Sequence, residues 1–270
     1  MGDICTASTF INMWGQFLTR GTPPYIQPSP LPRTKVERPT KPASLPATPP
    51  SVKHVADTGD HWFTPHASAM STSFHITDAQ LKQLKSKTTD EIGPFEVISA
   101  MFWQCLAKVR GENEPKRVTV CRNDSNAAKG RGILNNKQII STYETSSYIA
   151  GAELSELAAL IAGETFDESK DIEAVVESED GLSDLILYGV NLTFVDLEDV
   201  NCYGLEVKGH KLASVHFSLD GVGSEGAVLV MPRLPTSEQG WAQGGRKVTV
   251  ILPENQVSQL RNELQLAGIW

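Results

Sequence analysis

Between Pro94 and Gly111 the chain reads PFEVISAMFWQCLAKVRG, a helix-length run in which apolar residues occupy every face instead of one stripe. A helix of that kind has no side to turn toward water, so it has to be enclosed by other elements. Pro94 suits its first turn, where a missing N–H breaks no intrahelical bond. The chain has 270 residues, 40% of them apolar, enough for a core that surrounds such a helix. Phe95, Ile98, Phe102 and Leu106 are the expected core of this segment.

The elements that could enclose it follow from periodicity. Upstream, AMSTSFHI alternates Met70, Thr72, Phe74 and Ile76 with polar residues, the period of a half-buried strand. Thr77 and Gln80 make a capping-box pattern that opens TDAQLKQLKSK. Downstream, RVTVC reads as a strand, AELSELAALIAGETF and SKDIEAVVESED as helices. Further strands are expected around Leu185 to Val195, Ala213 to Leu219, Ala227 to Met231 and Lys247 to Ile251, with GVGSE a hairpin turn between the second and third of these. Pro253 opens a last helix with Val257, Leu260 and Leu264 on one face. Strands and helices that mix without strict alternation predict an α+β or mixed α/β fold.

The N-terminus stands apart. Phe10, Trp14, Phe17 and Leu18 recur at helical spacing, and this apolar stripe needs a surface to pack on. Prolines between Gly21 and Asp57, Pro23 and Pro24 to Pro49 and Pro50, exclude continuous helix or central strand. The expected organisation is an N-terminal helix over 1–20, a proline-rich crossover over 21–57, and one main domain over 58–270.

A net charge of −8 excludes a nucleic-acid partner and a polybasic membrane patch. No apolar run reaches the length of a membrane span. The four cysteines, Cys5, Cys105, Cys121 and Cys202, form no close pair, which points to a reducing compartment. The histidines of HWFTPH, with His54, have no carboxylate or cysteine at ligand spacing, so no metal is expected, and Trp62 and Phe63 read as anchors of the crossover. Gly130-Arg131-Gly132 reads as a turn. No complete set of acid, base and nucleophile is visible.

FHITDAQLKQLK followed by FEVISAMFWQCLAKVRG, and GAVLVMP with VTVILPENQVSQLRNEL, resemble the second half of the plant BAHD acyltransferases. NLTFVDLEDVNCYGLEVKG is similar to their eceriferum clade, which serves wax elongation. The resemblance implies a mixed sheet flanked by helices, the C-terminal portion of a two-domain chloramphenicol-acetyltransferase-like fold. It aligns Met1-Gly2-Asp3 with the end of the family's His-x-x-x-Asp motif, whose histidine would precede Met1, so an N-terminally truncated chain is expected. In the family that aspartate pairs with an arginine, and the matching residues here are Asp3 and Arg122, with a structural role. The family's Asp-Phe-Gly-Trp-Gly motif falls on Asn201, Cys202, Tyr203, Gly204 and Leu205, or two residues nearer Asp199, and is degenerate in either register.

The resemblance therefore implies an accessory factor in very-long-chain fatty acyl elongation for cuticular wax, inactive as a transferase on its own. Acyl-CoA is its implied ligand, with no bound cofactor. Its implied partner is the elongase condensing enzyme. The expected state is a cytoplasmic monomer, reaching the endoplasmic reticulum only through that partner. Two other readings stay open: a fragment of an acyl-CoA-dependent O- or N-acyltransferase, and a truncated product with no activity.

Overall fold

The computed structural model describes residues 4–21, 47–55, 69–123, 138–178, 184–201, 203–217, 219, 221–233 and 244–269. In chain order the elements are α1 (Ile4–Arg20), β1 (Lys53–His54), β2 (Ala69–Ile76), α2 (Asp78–Lys85), α3 (Pro94–Arg110), β3 (Arg117–Asn123), β4 (Gln138–Glu144), α4 (Leu154–Ala162) and α5 (Ser169–Ser178). They continue with β5 (Leu185–Ile186), β6 (Leu192–Asp196), β7 (Glu206–Val207), β8 (His210–Lys211), β9 (Ala227–Pro232), β10 (Arg246–Pro253) and α6 (Glu254–Leu266).

Six strands form one sheet in the order β2-β10-β9-β6-β3-β4. The central trio β3, β6 and β9 is parallel, while β10, β2 and β4 add antiparallel pairs at the two sides. Phe74, Val248 and Val230 stand side by side across β2, β10 and β9, as do Val228, Phe194 and Val120 across β9, β6 and β3, and all lie in the larger core. The side-chain period of two sends Leu229, Val195, Cys121 and Ile140 to the other face, into a smaller core.

α3 lies on the first face. Phe102 and Trp103 are fully buried, and Phe102 meets Phe74 edge to face at 6.0 Å. The sheet covers one side of α3, and α4 and α6 cover its flanks, which is why its sequence carries no polar stripe. Two of its polar groups are matched: Trp103 Nε1 donates to Pro115 O at 2.7 Å, and Gln104 Nε2 to Ala152 O at 2.6 Å, whereas the buried Ser99 Oγ has no hydrogen-bond partner among the described residues. Gly93 and Pro94 open the helix, and Gly111 closes it with φ of 58°.

The capping box of α2 forms as its spacing requires: Gln80 N donates to Thr77 Oγ1 at 3.3 Å, and Thr77 N to Gln80 Oε1 at 2.9 Å. On α6, Val257, Leu260 and Leu264 are buried on one face. Of the proline-rich segment, residues 47–55 are described. They lie against the domain, with Lys53–His54 paired antiparallel to Leu185–Ile186 and Ser51 N donating to buried Glu168 at 3.1 Å.

Three expectations fail. The run Leu185 to Val195 is two strands, because Gly189 at φ of 81° turns the chain between them. Residues 212–217 form no strand and GVGSE no hairpin turn: Val215 and Phe217 rest on the smaller core from an irregular path, and Lys247 Nζ holds Val215 O. β4 went unrecognised because QIISTYE follows a long polar stretch of sequence and presents little alternation.

Replacing Phe102 by Ala should lower the unfolding free energy by about 3–5 kcal/mol, the range for deleting a buried aromatic ring. Thr77→Ala should cost about 1 kcal/mol through the lost cap. Urea denaturation of the two variants checks both values.

Candidate functional site

Charged side chains collect at the carboxyl ends of β3, β6 and β9, the edge where open sheets with parallel strands place their ligands. Arg122, near the end of β3, is the centre. Its Nη2 donates to Glu96 Oε1 at 2.9 Å and to Ile161 O at 3.2 Å, its Nη1 reaches Tyr143 Oη at 3.4 Å, and its Nε lies 3.8 Å from Asp196 Oδ2. The guanidinium also sits over the Phe95 ring, 5.3 Å from its centroid. Glu96 comes from the first turn of α3 and Asp196 from the last residue of β6. One helix start and two parallel strands thus converge on a single cation.

Next along the edge, Arg246 of β10 donates from Nε to both carboxylate oxygens of Glu198, 2.7 Å to Oε2. Three carboxylates therefore share two guanidinium groups. Glu96 and Glu198 hold the close contacts, which leaves Asp196 with the weakest attraction. Burial, with repulsion from Glu198 and Glu96, raises the Asp196 carboxyl to about 7 against the pull of the Glu198 N–H and Arg122.

The segment after β6 is the one on which the sequence reading expects the family's degenerate motif. Asn201 O accepts from Ser8 Oγ at 2.7 Å and from Asn12 Nδ2 at 2.9 Å, both on α1. Tyr203 is buried in the smaller core. Gly204 has no room for a side chain: a Cβ there would lie 2.4 Å from Asn201 Nδ2 and 2.7 Å from Asn12 Nδ2. Leu205 closes on Gly15, whose Cβ would meet Leu205 Cδ1 at 2.3 Å and Glu206 O at 2.9 Å. Farther along, Thr19 Oγ1 donates to Glu206 O at 3.3 Å and accepts from Lys208 N at 3.1 Å.

α1 thus docks through Ser8, Asn12, Gly15 and Thr19, a stripe of small and polar residues. The stripe expected to dock points outward, with Phe10 62%, Ile11 46%, Trp14 53%, Phe17 44% and Leu18 40% exposed. Apolar periodicity located the helix but chose the wrong face for this contact, because close approach of two backbones favours small side chains over large ones.

Asp3 and Cys202 lie outside the described residues, as do Gly130-Arg131-Gly132, His61, Trp62, Phe63 and His66. His54 lies in β1, 3.3 Å from Thr48 Oγ1. The buried thiols of Cys105 and Cys121 are pushed up by desolvation to about 11 and about 12, so neither is a ready nucleophile. Among the described residues no group of three or more His, Cys, Asp or Glu side chains is arranged to hold a metal, and no helix is long and apolar enough to cross a membrane.

Sequence reasoning named Arg122 only as the candidate partner of Asp3, which lies outside the described residues, and missed Glu96, Asp196, Glu198 and Arg246. Glu96 was visible as the one acidic residue in an otherwise apolar helix, and Asp196 as the polar end of the strand LTFVD. It also missed one spacing: of the six histidines only His216 has an aspartate four residues on, Asp220. His216 lies downstream of 201–205, is exposed, and has Nε2 3.4 Å from Ser71 Oγ.

No family model matches the chain. It is 36% identical to the Arabidopsis thaliana protein ECERIFERUM 26-like over 270 residues, which is 100% of this chain and 60% of that relative. With Arabidopsis thaliana ECERIFERUM 2 it shares 32% over 269 residues, 98% of this chain and 59% of the relative. The chain thus spans about three fifths of the length of these relatives. Among solved structures, vinorine synthase superposes with a TM-score of 0.61 at 13% identity, covering 99% of this chain and 60% of that one. The F. sporotrichioides TRI101 complex with coenzyme A and T-2 gives a TM-score of 0.54 at 17% identity, covering 86% of this chain and 56% of that one. These two likenesses concern the fold.

Two measurements test the site. Asp196 has a folded-state pKa above its unfolded value, so the native state holds its proton more tightly. That contribution is full below about pH 4 and is lost as pH rises to about 7. Asp196→Asn should remove this falling component, with a gain relative to the parent that grows over the same window to at most about 4 kcal/mol, read from urea melts at a series of pH values. Gly15→Val should force α1 off residues 205–206, seen as faster proteolysis within residues 4–21 while the main domain keeps its melting temperature.

Proposed function

Since the chain belongs to the BAHD acyltransferase family, in its eceriferum-like group, we propose that it serves as an accessory factor in very-long-chain fatty acyl elongation for cuticular wax, without transferase activity of its own. The observation that carries the reading is the use made of residues 201–205. They hold α1 through Asn201 O, the Gly204 backbone and Leu205, a structural task that asks for small residues and a free carbonyl. The family motif's aspartate and tryptophan are dispensable for it.

The ligand proposed is an acyl-CoA, supported by the coenzyme A complex among the structural neighbours. The partner proposed is the elongase condensing enzyme, met at the endoplasmic reticulum from the cytoplasmic side, with the chain itself a monomer. We assign Asp3 the structural role of a further carboxylate on Arg122. Glu96 already lies at 2.9 Å from that arginine, so a third carboxylate is tolerated only where Asp196 is protonated. A carboxyl titrating near 7 allows this at neutral pH and below.

His216 favours the second reading, an acyl-CoA-dependent transferase. Its base would be an exposed imidazole beside Ser71, downstream of the motif segment. The purified chain should bind a long-chain acyl-CoA and give no transfer to a panel of alcohols and amines. A positioned base contributes roughly 100- to 10000-fold, so a true transferase would stand well above the uncatalysed rate. Turnover that disappears in His216→Ala would overturn the accessory reading in favour of the enzyme.

A further inference from the structure

A cleft of about 400 Å³ opens at the end of the sheet away from Arg122, where α3 finishes, β9 begins and β10 turns into α6. The pairing of Ile251 with Ala227 brings the last two of these together. Its size falls within the range of small-ligand sites, which are usually lined by apolar side chains. Here the wall is polar, with Val109 its one apolar side chain among the described residues.

Arg110, at the end of α3, organises that wall. Its side chain is 7% exposed, and a guanidinium buried to this degree is tolerated only with hydrogen-bonding partners. Nη1 donates to Glu225 Oε2 at 2.7 Å and Nη2 to Glu225 O at 2.8 Å, while Nε and Nη2 both donate to Gln256 Oε1 at 3.2 Å. Two N–H groups on one atom of the Gln256 amide identify that atom as the oxygen, so Nε2 is the donor left for the cleft. Glu225 gives Oε2 to the arginine, and Oε1 is the acceptor left beside it. The backbone here is pinned as well: Glu225 N donates to Gly189 O at 3.2 Å and Gly226 N to Gly223 O at 3.0 Å. One buried cation thus holds an amide donor and a carboxylate acceptor side by side. Asn113, Asn255 and Gln259 add further primary amides around them, and Ser224 a hydroxyl, each able both to donate and to accept.

We propose that this cleft binds the vicinal diol of a neutral sugar or cyclic polyol. A hydroxyl donates one hydrogen bond and accepts others, so one hydroxyl of the diol donates to Glu225 Oε1 while its neighbour accepts from Gln256 Nε2. The surrounding amides serve the rest of the ring. Other ligand classes fit less well. An anion would meet the Glu225 carboxylate, with Arg110 already committed to it. A cation gains little from a carboxylate whose charge Arg110 offsets. An acyl chain would find only Val109 to pack on and would desolvate the amides without replacing their hydrogen bonds. The diol site is therefore independent of the acyl-CoA reading above.

The isotope-labelled full chain is titrated with D-glucose, myo-inositol, adenosine and 2′-deoxyadenosine, the last lacking the vicinal diol of the ribose. The backbone amide signals of Glu225 and Gln256 are followed by NMR. At least one of the three diols should shift them saturably in the millimolar range, and 2′-deoxyadenosine should leave them in place. Gln256→Glu keeps an oxygen on Arg110 and loses only the donor, so it should weaken binding at least about tenfold with an unchanged melting temperature. Gln259→Ala, at an exposed helix position, should weaken it by a smaller factor.

Saturation by glucose or inositol would support the site and assign the diol to a free sugar or polyol. Saturation by adenosine alone would support the diol chemistry and place it on a ribose. No saturable shift with any of the three, a response to 2′-deoxyadenosine equal to theirs, or Gln256→Glu and Gln259→Ala variants that bind as the parent does would overturn the site.

Discussion

The enclosure of α3 is the constraint on which the rest depends. A 17-residue helix with buried side chains all round its circumference needs a sheet below it and helices at its flanks. β6, β9 and β10 supply the first, and α4 and α6 the second. The first turn of this helix also delivers Glu96 to Arg122, so the element that fixes the core fixes one member of the charged edge. Loosening the core would therefore disturb the electrostatics of the edge, because Phe95, against which Arg122 lies, is part of both.

Legibility in the sequence followed the number of constraints acting on each segment. α3, α6, β9 and β10 were readable because burial on one or both faces leaves a strong pattern. The capping box at Thr77 was readable because two specific side chains at fixed spacing make it. The path through 205–222 was not: the two-residue strands β7 and β8 are too short to show a period, and SVHFSLD alternates like a strand although Val215 and Phe217 anchor an irregular cover. Arg122 was accessible through family resemblance, whereas its carboxylate partners come from segments 26 and 74 positions away. Only the parallel register of β3 and β6 brings Asp196 beside it.

What can stand in residues 201–205 is limited by what the segment touches. α1 meets it through Asn12 and Gly15, and the contact uses one main-chain carbonyl, one glycine without room for a methyl group, and one leucine. None of these interactions requires an acid or an indole. Substitution at Tyr203 or Leu205 is therefore constrained by packing, while a Cβ on Gly204 would press on the side-chain amides of Asn201 and Asn12. Meanwhile the larger apolar residues of α1 are spared from this contact and face away from the domain.

The charged side chains at the carboxyl edge lie on both faces of the sheet, and the sheet keeps the two groups apart. On the first face, three carboxylates outnumber two arginines, and burial together with this imbalance raises the Asp196 carboxyl to about 7. On the second face, Lys247 stands opposite His75, and burial, with Arg233 and Lys247 nearby, holds that imidazole below the usual histidine range. The strand period of two creates this separation. Arg246 turns to the first face and pairs with Glu198, while Lys247, one residue later, turns to the second and meets His75. A shift of β10 by one residue would exchange the two, placing Lys247 beside Glu198 and setting Val248 against the smaller core, so the hydrophobic register that buries Val248 and Val250 also holds the two clusters on their separate faces.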